Sequence, residues 1–131
     1  MISKKNKDLE SISGNENTKI KQIFNPENTV NGIRYSLAES VIQKGGKSKV
    51  HKMKTSEVYF ILEGNGILHV ENESVEIERY QSVFVPPFSS QYLENTGNIN
   101  LKVLCIVDPA WKKENEIFEW INYVFILLVG I

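Results

Sequence analysis

Residues 45 to 64 read GGKSKVHKMKTSEVYFILEG: paired glycines, a mostly basic and polar run ending in Glu57, five apolar residues, an acid and a further glycine. His51 and Met53 are two positions apart, and on a β-strand such side chains point to the same face. Glu57 follows after a three-residue turn and opens the apolar run Val58-Tyr59-Phe60-Ile61-Leu62. Paired as a hairpin, the two strands would bring an imidazole, a thioether and a carboxylate to one interior point. A buried carboxylate without a partner is costly, so Glu57 calls for a metal, a hydrogen bond from His51 or a ligand hydroxyl. Tyr59 shares the parity of Glu57 and offers a second hydroxyl to a ligand. A strand with one wet face alternates apolar and polar residues, and Val58 to Leu62 does not. Both of its faces are therefore expected to be covered, one by the interior and the other by a second subunit or the chain's own terminal segments. A two-fold homodimer is the default form of such an assembly.

Outward from this stretch, short apolar runs alternate with turn signals. Strands are expected over Gly32 to Ile42, Lys49 to Met53, Val58 to Leu62, Gly66 to Glu71, Ser74 to Ile77, Ser82 to Val85, Gln91 to Asn95 and Leu101 to Val107. Gly45-Gly46, Gly64-Asn65-Gly66, Asn72-Glu73, Pro86-Pro87 and Thr96-Gly97-Asn98 punctuate them. Eight strands at this spacing predict an all-β sandwich or small barrel over residues 20–109. Residues 1–19, rich in Asn, Ser, Lys and Glu, show no periodicity and read as a flexible arm. Residues 110–131 read as a helical or apolar tail: Trp111 to Glu116 is polar and helix-compatible, and Ile117 to Ile131 is almost wholly apolar. That run is shorter than the roughly 20 residues a spanning helix needs. A buried or interfacial segment is the expectation, with membrane attachment and a tail foreign to the fold as alternatives.

The 131 residues carry 16 acidic against 15 basic side chains, a net charge of −1, with 41% hydrophobic and 24% charged residues. These values belong to a globular domain and exclude a disordered chain, a collagen-like fibre and a disulfide scaffold. Lysines interleaved with acids form no basic stripe for nucleic acid. The single Cys105 and the lack of an apolar stretch near residue 1 point to a reducing, cytoplasmic setting. Cys105 shares the parity of the apolar Leu101, Val103 and Val107, which aims it inward as a core residue. His69 shares a face with Glu71 opposite Leu68 and Val70 and reads as a surface histidine.

The intervals of the opening stretch resemble the first motif of the cupin family: Gly, five residues, His, one residue, His, three or four residues, Glu, six residues, Gly. Here Gly45, His51, Met53, Glu57 and Gly64 hold those places, with Met53 in the second His slot. The second motif, Gly, five residues, Pro, one residue, Gly, two residues, His, three residues, Asn, keeps its intervals in YQSVFVPPFSSQYLEN. Tyr80 and Phe88 stand in the two Gly slots, Pro86 is in place, Gln91 replaces the His, and Asn95 is in place. The resemblance covers residues 30–108 and implies a jelly-roll-like β-barrel. It also implies one divalent transition metal, with ligand slots at His51, Met53, Glu57 and Gln91. A thioether is a soft ligand, and its combination with a carboxylate matches no common hard-metal set.

Two functions follow from the resemblance. One is a metal-dependent enzyme of isomerase or epimerase type acting on a small polar or sugar-like molecule, with His51 and Glu57 as acid and base and Tyr59 and Gln91 as ligand contacts. The other is a non-catalytic ligand-binding or sensor cupin that has lost full metal affinity.

Overall fold

The computed structural model describes residues 1–15, 18–29 and 32–118. Its eleven strands are β1 (Ile12–Asn15), β2 (Thr18–Phe24), β3 (Ser36–Ile42), β4 (His51–Met53), β5 (Ser56–Glu63), β6 (Gly66–Val70), β7 (Glu73–Ile77), β8 (Ser82–Val85), β9 (Gln91–Asn95), β10 (Leu101–Asp108) and β11 (Glu116–Phe118). They form two antiparallel sheets, one in the order β1-β2-β3-β10-β5-β8 and the other β11-β4-β9-β6-β7. All eight strands expected from the sequence are present. The architecture is all-β, but among the described strands no ladder joins the two sheets, so the pairing is that of a sandwich and not of a closed barrel.

The core lies between the sheets. Ile42, Tyr59, Ile61, Val85, Leu101 and Val103 come from the first, and Leu68, Ile77 and Leu93 from the second. Alternation along β5 puts Glu57, Tyr59 and Ile61 inside and leaves Val58, Phe60 and Leu62 half-buried on the outer face. Register extends that outer face across the sheet, because Leu37, Ile106, Val58 and Phe84 are successive cross-strand partners. Phe84 is 63% exposed at the β8 edge. The second face of β5 is therefore only partly covered by the described residues.

Two expectations about the termini are corrected. Within the arm expected over residues 1–19, Ile12–Asn15 and the start of β2 belong instead to the first sheet, since β1 pairs with β2 and β2 with β3. The strand escapes a reading by hydropathy because Thr18 and Gln22 share with Ile20 the side that lines the interior cavity, while Lys19 and Lys21 alternate with them. Ahead of β1, Asn6 donates to Glu39 Oε2 at 2.7 Å and Lys4 Nζ to Ile23 O at 2.6 Å, pinning the N-terminal segment against β2 and β3. The helix-compatible stretch at Trp111 forms one 3-10 turn, Lys113–Asn115, and then β11, which adds to the edge of β4. Tertiary pairing overrides local propensity there. The apolar tail expected beyond residue 118 lies outside the described residues, and among those described no helix is long and apolar enough to cross a membrane.

The motif intervals are explained by backbone geometry. Asn95 donates to the carbonyls of Ile42 and Ile99, at 3.0 and 2.9 Å, and accepts from the Gly97 amide, tying β3 to the β9–β10 turn. Tyr80 and Phe88, in the two Gly slots, hold φ of 70° and 61°. The left-handed conformation thus persists without glycine, at a cost of roughly 1–2 kcal/mol per residue. Tyr80 recovers contacts, stacking on Phe60 and lying under Arg79, whereas Phe88 is 60% exposed. Phe88→Gly is expected to raise the melting temperature by a few degrees, about 0.5–1 kcal/mol after the added chain entropy of glycine. Tyr80→Gly, which loses the ring contacts, should gain less. Calorimetry of both variants checks this, and destabilisation by Phe88→Gly contradicts it.

Candidate functional site

A cavity of about 440 Å³ lies between the sheets, within the range typical of ligand pockets. Its inner wall is built by register. Glu57 lies opposite Val107 and Tyr59 opposite Cys105, so the inward positions of β5 and β10 form one surface. Ser36, Ala38, Ser40 and Ile42 on β3 continue it, and Ile12, Thr18 and Ile20 on β1 and β2 complete it. From the second sheet β4 supplies His51 and Met53.

Glu57 is 5% exposed and its Oε1 has no hydrogen-bond partner among the described residues. Burial pushes its carboxyl from about 4.5 up to about 7. The polar side chain of Tyr59 pulls it down, the Glu116 charge raises it further, and Cys105 and Gln91 lower it. Burial likewise holds the Tyr59 hydroxyl and the Cys105 thiol well above their ordinary values, with the Glu57 charge adding to both. Cys105 is therefore a protonated wall residue, not a thiolate. Thr18, also on the wall, has a buried hydroxyl oxygen with no partner among the described residues.

The sequence-predicted residues converge, but not as four equal ligands. His51, Met53, Glu57 and Tyr59 line the cavity. Gln91 is buried and lies opposite His51 in the β4–β9 pairing, and its Oε1 accepts the Tyr59 hydroxyl at 2.6 Å. One lone pair of the carbonyl oxygen in that slot is thus taken within the protein. His51 Nδ1 is 3.0 Å from Lys49 O and must donate to it, because a carbonyl only accepts. The imidazole's Nε2 is turned toward Glu116 Oε1, 3.9 Å away. Met53 contributes a buried thioether. Among the described residues no three His, Cys, Asp or Glu side chains are grouped to hold a metal ion. The donors at the four slots do not fit the implied divalent metal, since one is soft, one is already bonded, and two remain.

Glu116 is the residue that the sequence reading missed. β11 places it opposite Met53, and directly paired residues point to the same face, so a carboxylate enters the cavity beside the slot that lost its imidazole. Trp111 Nε1 donates to its Oε2 at 2.8 Å. A three-residue strand leaves no periodic signal, so nothing local marks this position. His69, by contrast, stands outside the cavity lining, bonded to Ser74 Oγ at 2.8 Å and Glu94 Oε1 at 3.0 Å and stacked on Tyr92.

Comparison with known proteins agrees with the fold. A family model described as Cupin domain matches residues 38–107. An uncharacterised protein of Methanocaldococcus jannaschii is 38% identical over 102 residues, 76% of this chain and 81% of that protein. The oxalate-binding protein of Thermotoga maritima is 31% identical over 72 residues, 54% of this chain but only 60% of that protein. Among solved structures, the polyketide cyclase RemF of Streptomyces resistomycificus superposes with a TM-score of 0.76 at 14% identity, over 91% of this chain and 85% of that one. At that identity the likeness is one of fold.

The buried carboxyl makes stability depend on pH. A folded-state value of about 7 against about 4.5 in the unfolded chain means that the protonated form is favoured by folding. Its contribution is full below pH 4.5 and is lost as pH rises through 7, about 3 kcal/mol in all. Glu57→Gln should match the parent at pH 4.5 and exceed it at pH 8. Urea unfolding across that window checks the sign, and parallel curves for the two proteins refute it.

Proposed function

The chain belongs to the cupin family, a fold that hosts many unrelated chemistries, and we propose from its own cavity that it binds a small organic molecule between the two sheets, with Glu57 as the polar anchor. The observation that carries this reading is the buried Glu57 Oε1, left without a partner on the wall of a 440 Å³ cavity. A ligand hydroxyl, amine or carbonyl satisfies that atom. Serine and threonine hydroxyls on the wall suit a guest with further polar groups, and Ile12, Ile20, Leu93 and Val107 take its apolar parts.

The binding-module reading is favoured over a metal enzyme by the donor set at His51, Met53, Glu57 and Gln91. Oxalate, named for one relative, fits this cavity poorly, because a dianion would meet the carboxyl side chains of Glu57 and Glu116. One observation favours the enzyme reading. Burial raises the Glu57 carboxyl to about 7, the range that suits an acid or base in sugar isomerisation. Elemental analysis of untagged protein purified without chelator separates the two. Far less than one transition-metal ion per chain, unchanged in His51→Ala, is expected. A stoichiometric ion lost in that variant would overturn the binding-module reading in favour of the metal enzyme.

We propose further that the outer apolar row of Leu37, Ile106, Val58 and Phe84 meets a second copy of the chain. Light scattering should report a dimer that Phe84→Glu dissociates, and a monomeric parent protein would contradict the assignment.

A further inference from the structure

Resting on the reading that the cavity holds a small organic molecule, we propose that this molecule is an organic ammonium ion, its charged group held between the carboxylates of Glu57 and Glu116 and its aliphatic body laid against Ile20, Ile42 and Leu93. The two carboxylates come from opposite sheets, Glu57 on β5 and Glu116 on β11. No lysine or arginine lines the inner wall. Lys49 and Lys113, the two lysines bordering the cavity, are exposed residues of its rim.

The charge balance inside the cavity selects the guest. Glu116 repels Glu57, and among the described residues the basic group set between the sheets is the His51 imidazole, with Nε2 3.9 Å from Glu116 Oε1 on the side of the cavity away from β5. A positive group between them relieves both carboxylates at once, and low local dielectric makes that attraction larger than in water. An anionic guest adds to the repulsion. A neutral one satisfies the unpartnered Oε1 of Glu57 and leaves the charge uncompensated. A bare metal ion is disfavoured because Gln91 Oε1 already accepts from Tyr59 and Met53 offers only sulfur, which leaves His51 and Glu57 of the four slots. The cavity is also many times larger than one ion needs, and its aliphatic walls suit a carbon skeleton.

Isothermal titration of the full-length, chelator-treated protein with n-hexylammonium, 1-hexanol and hexanoate tests the assignment. The amine is expected to bind at least about tenfold more tightly than the alcohol, and hexanoate not at all. Glu116→Gln, at a short edge strand, should cost the amine about tenfold and leave the alcohol unchanged. Glu57→Gln should also cost the amine at least about tenfold, with melting curves showing that both variants fold. Equal binding of amine and alcohol, or preference for hexanoate, overturns the ammonium assignment and leaves the cavity reading standing. Silence from all three probes overturns both. Manganese or zinc ions that bind alone and displace the amine would make this a metal centre and overturn the proposal.

Discussion

Strand β10 is paired on both sides, with β3 and with β5, and the register of those two ladders decides what faces the interior. A shift of one residue would exchange the two faces of a strand. In the observed register Glu57, Tyr59, Cys105 and Val107 look inward while Val58, Phe60, Leu104 and Ile106 look outward. The outer set is wholly apolar and the inner set is not, so hydropathy alone would not select this register. The inner set is distinguished by a carboxyl, a phenol and a thiol, whose burial raises the proton affinity of each. Folding thus places three proton-bearing groups against one cavity, and the chemistry of the site is set by that register.

Replacement at the ligand slots has reorganised the neighbouring contacts. Gln91 in a His slot becomes the acceptor for Tyr59, so two buried polar groups satisfy each other. Met53 fills space with a flexible side chain, as methionine does in irregular gaps. Glu116 enters opposite it from a strand outside both motifs. The slots that the motif resemblance marks therefore carry one imidazole, one carboxyl, a thioether and an amide, with a further carboxyl opposite Met53.

Much of this was legible in the sequence, and for physical reasons. Turn residues at Gly64-Asn65-Gly66 and Thr96-Gly97-Asn98 bound strands of period two, and all eight expected strands formed. Gly64 holds φ of 83°, and a Cβ there would lie 2.6 Å from Asn100 O, so that turn has little choice of residue. The motif intervals marked His51, Met53 and Glu57, and strand parity added Tyr59, all four on one cavity; the intervals also carried backbone conformation where the letters changed at Tyr80 and Phe88. What escaped reading depended on partners distant in the chain. β1 and β2 have few apolar residues of their own and gain their place by pairing with β3. Glu116 belongs to three residues whose strand exists only because the edge of β4 accepts them.

The place of β1 and β2 separates two ideas of a domain that are often treated as one. The match to the family model begins at residue 38, inside β3. The cavity is built from further out, because Ile12, Thr18 and Ile20 form one of its walls and Asn6 anchors that region to Glu39. A fragment excised at residue 38 would keep both motifs and yet open its interior to water along the flank of β3. In this protein the stretch that the family model matches is smaller than the body that encloses the cavity, and the difference between them includes one of its walls.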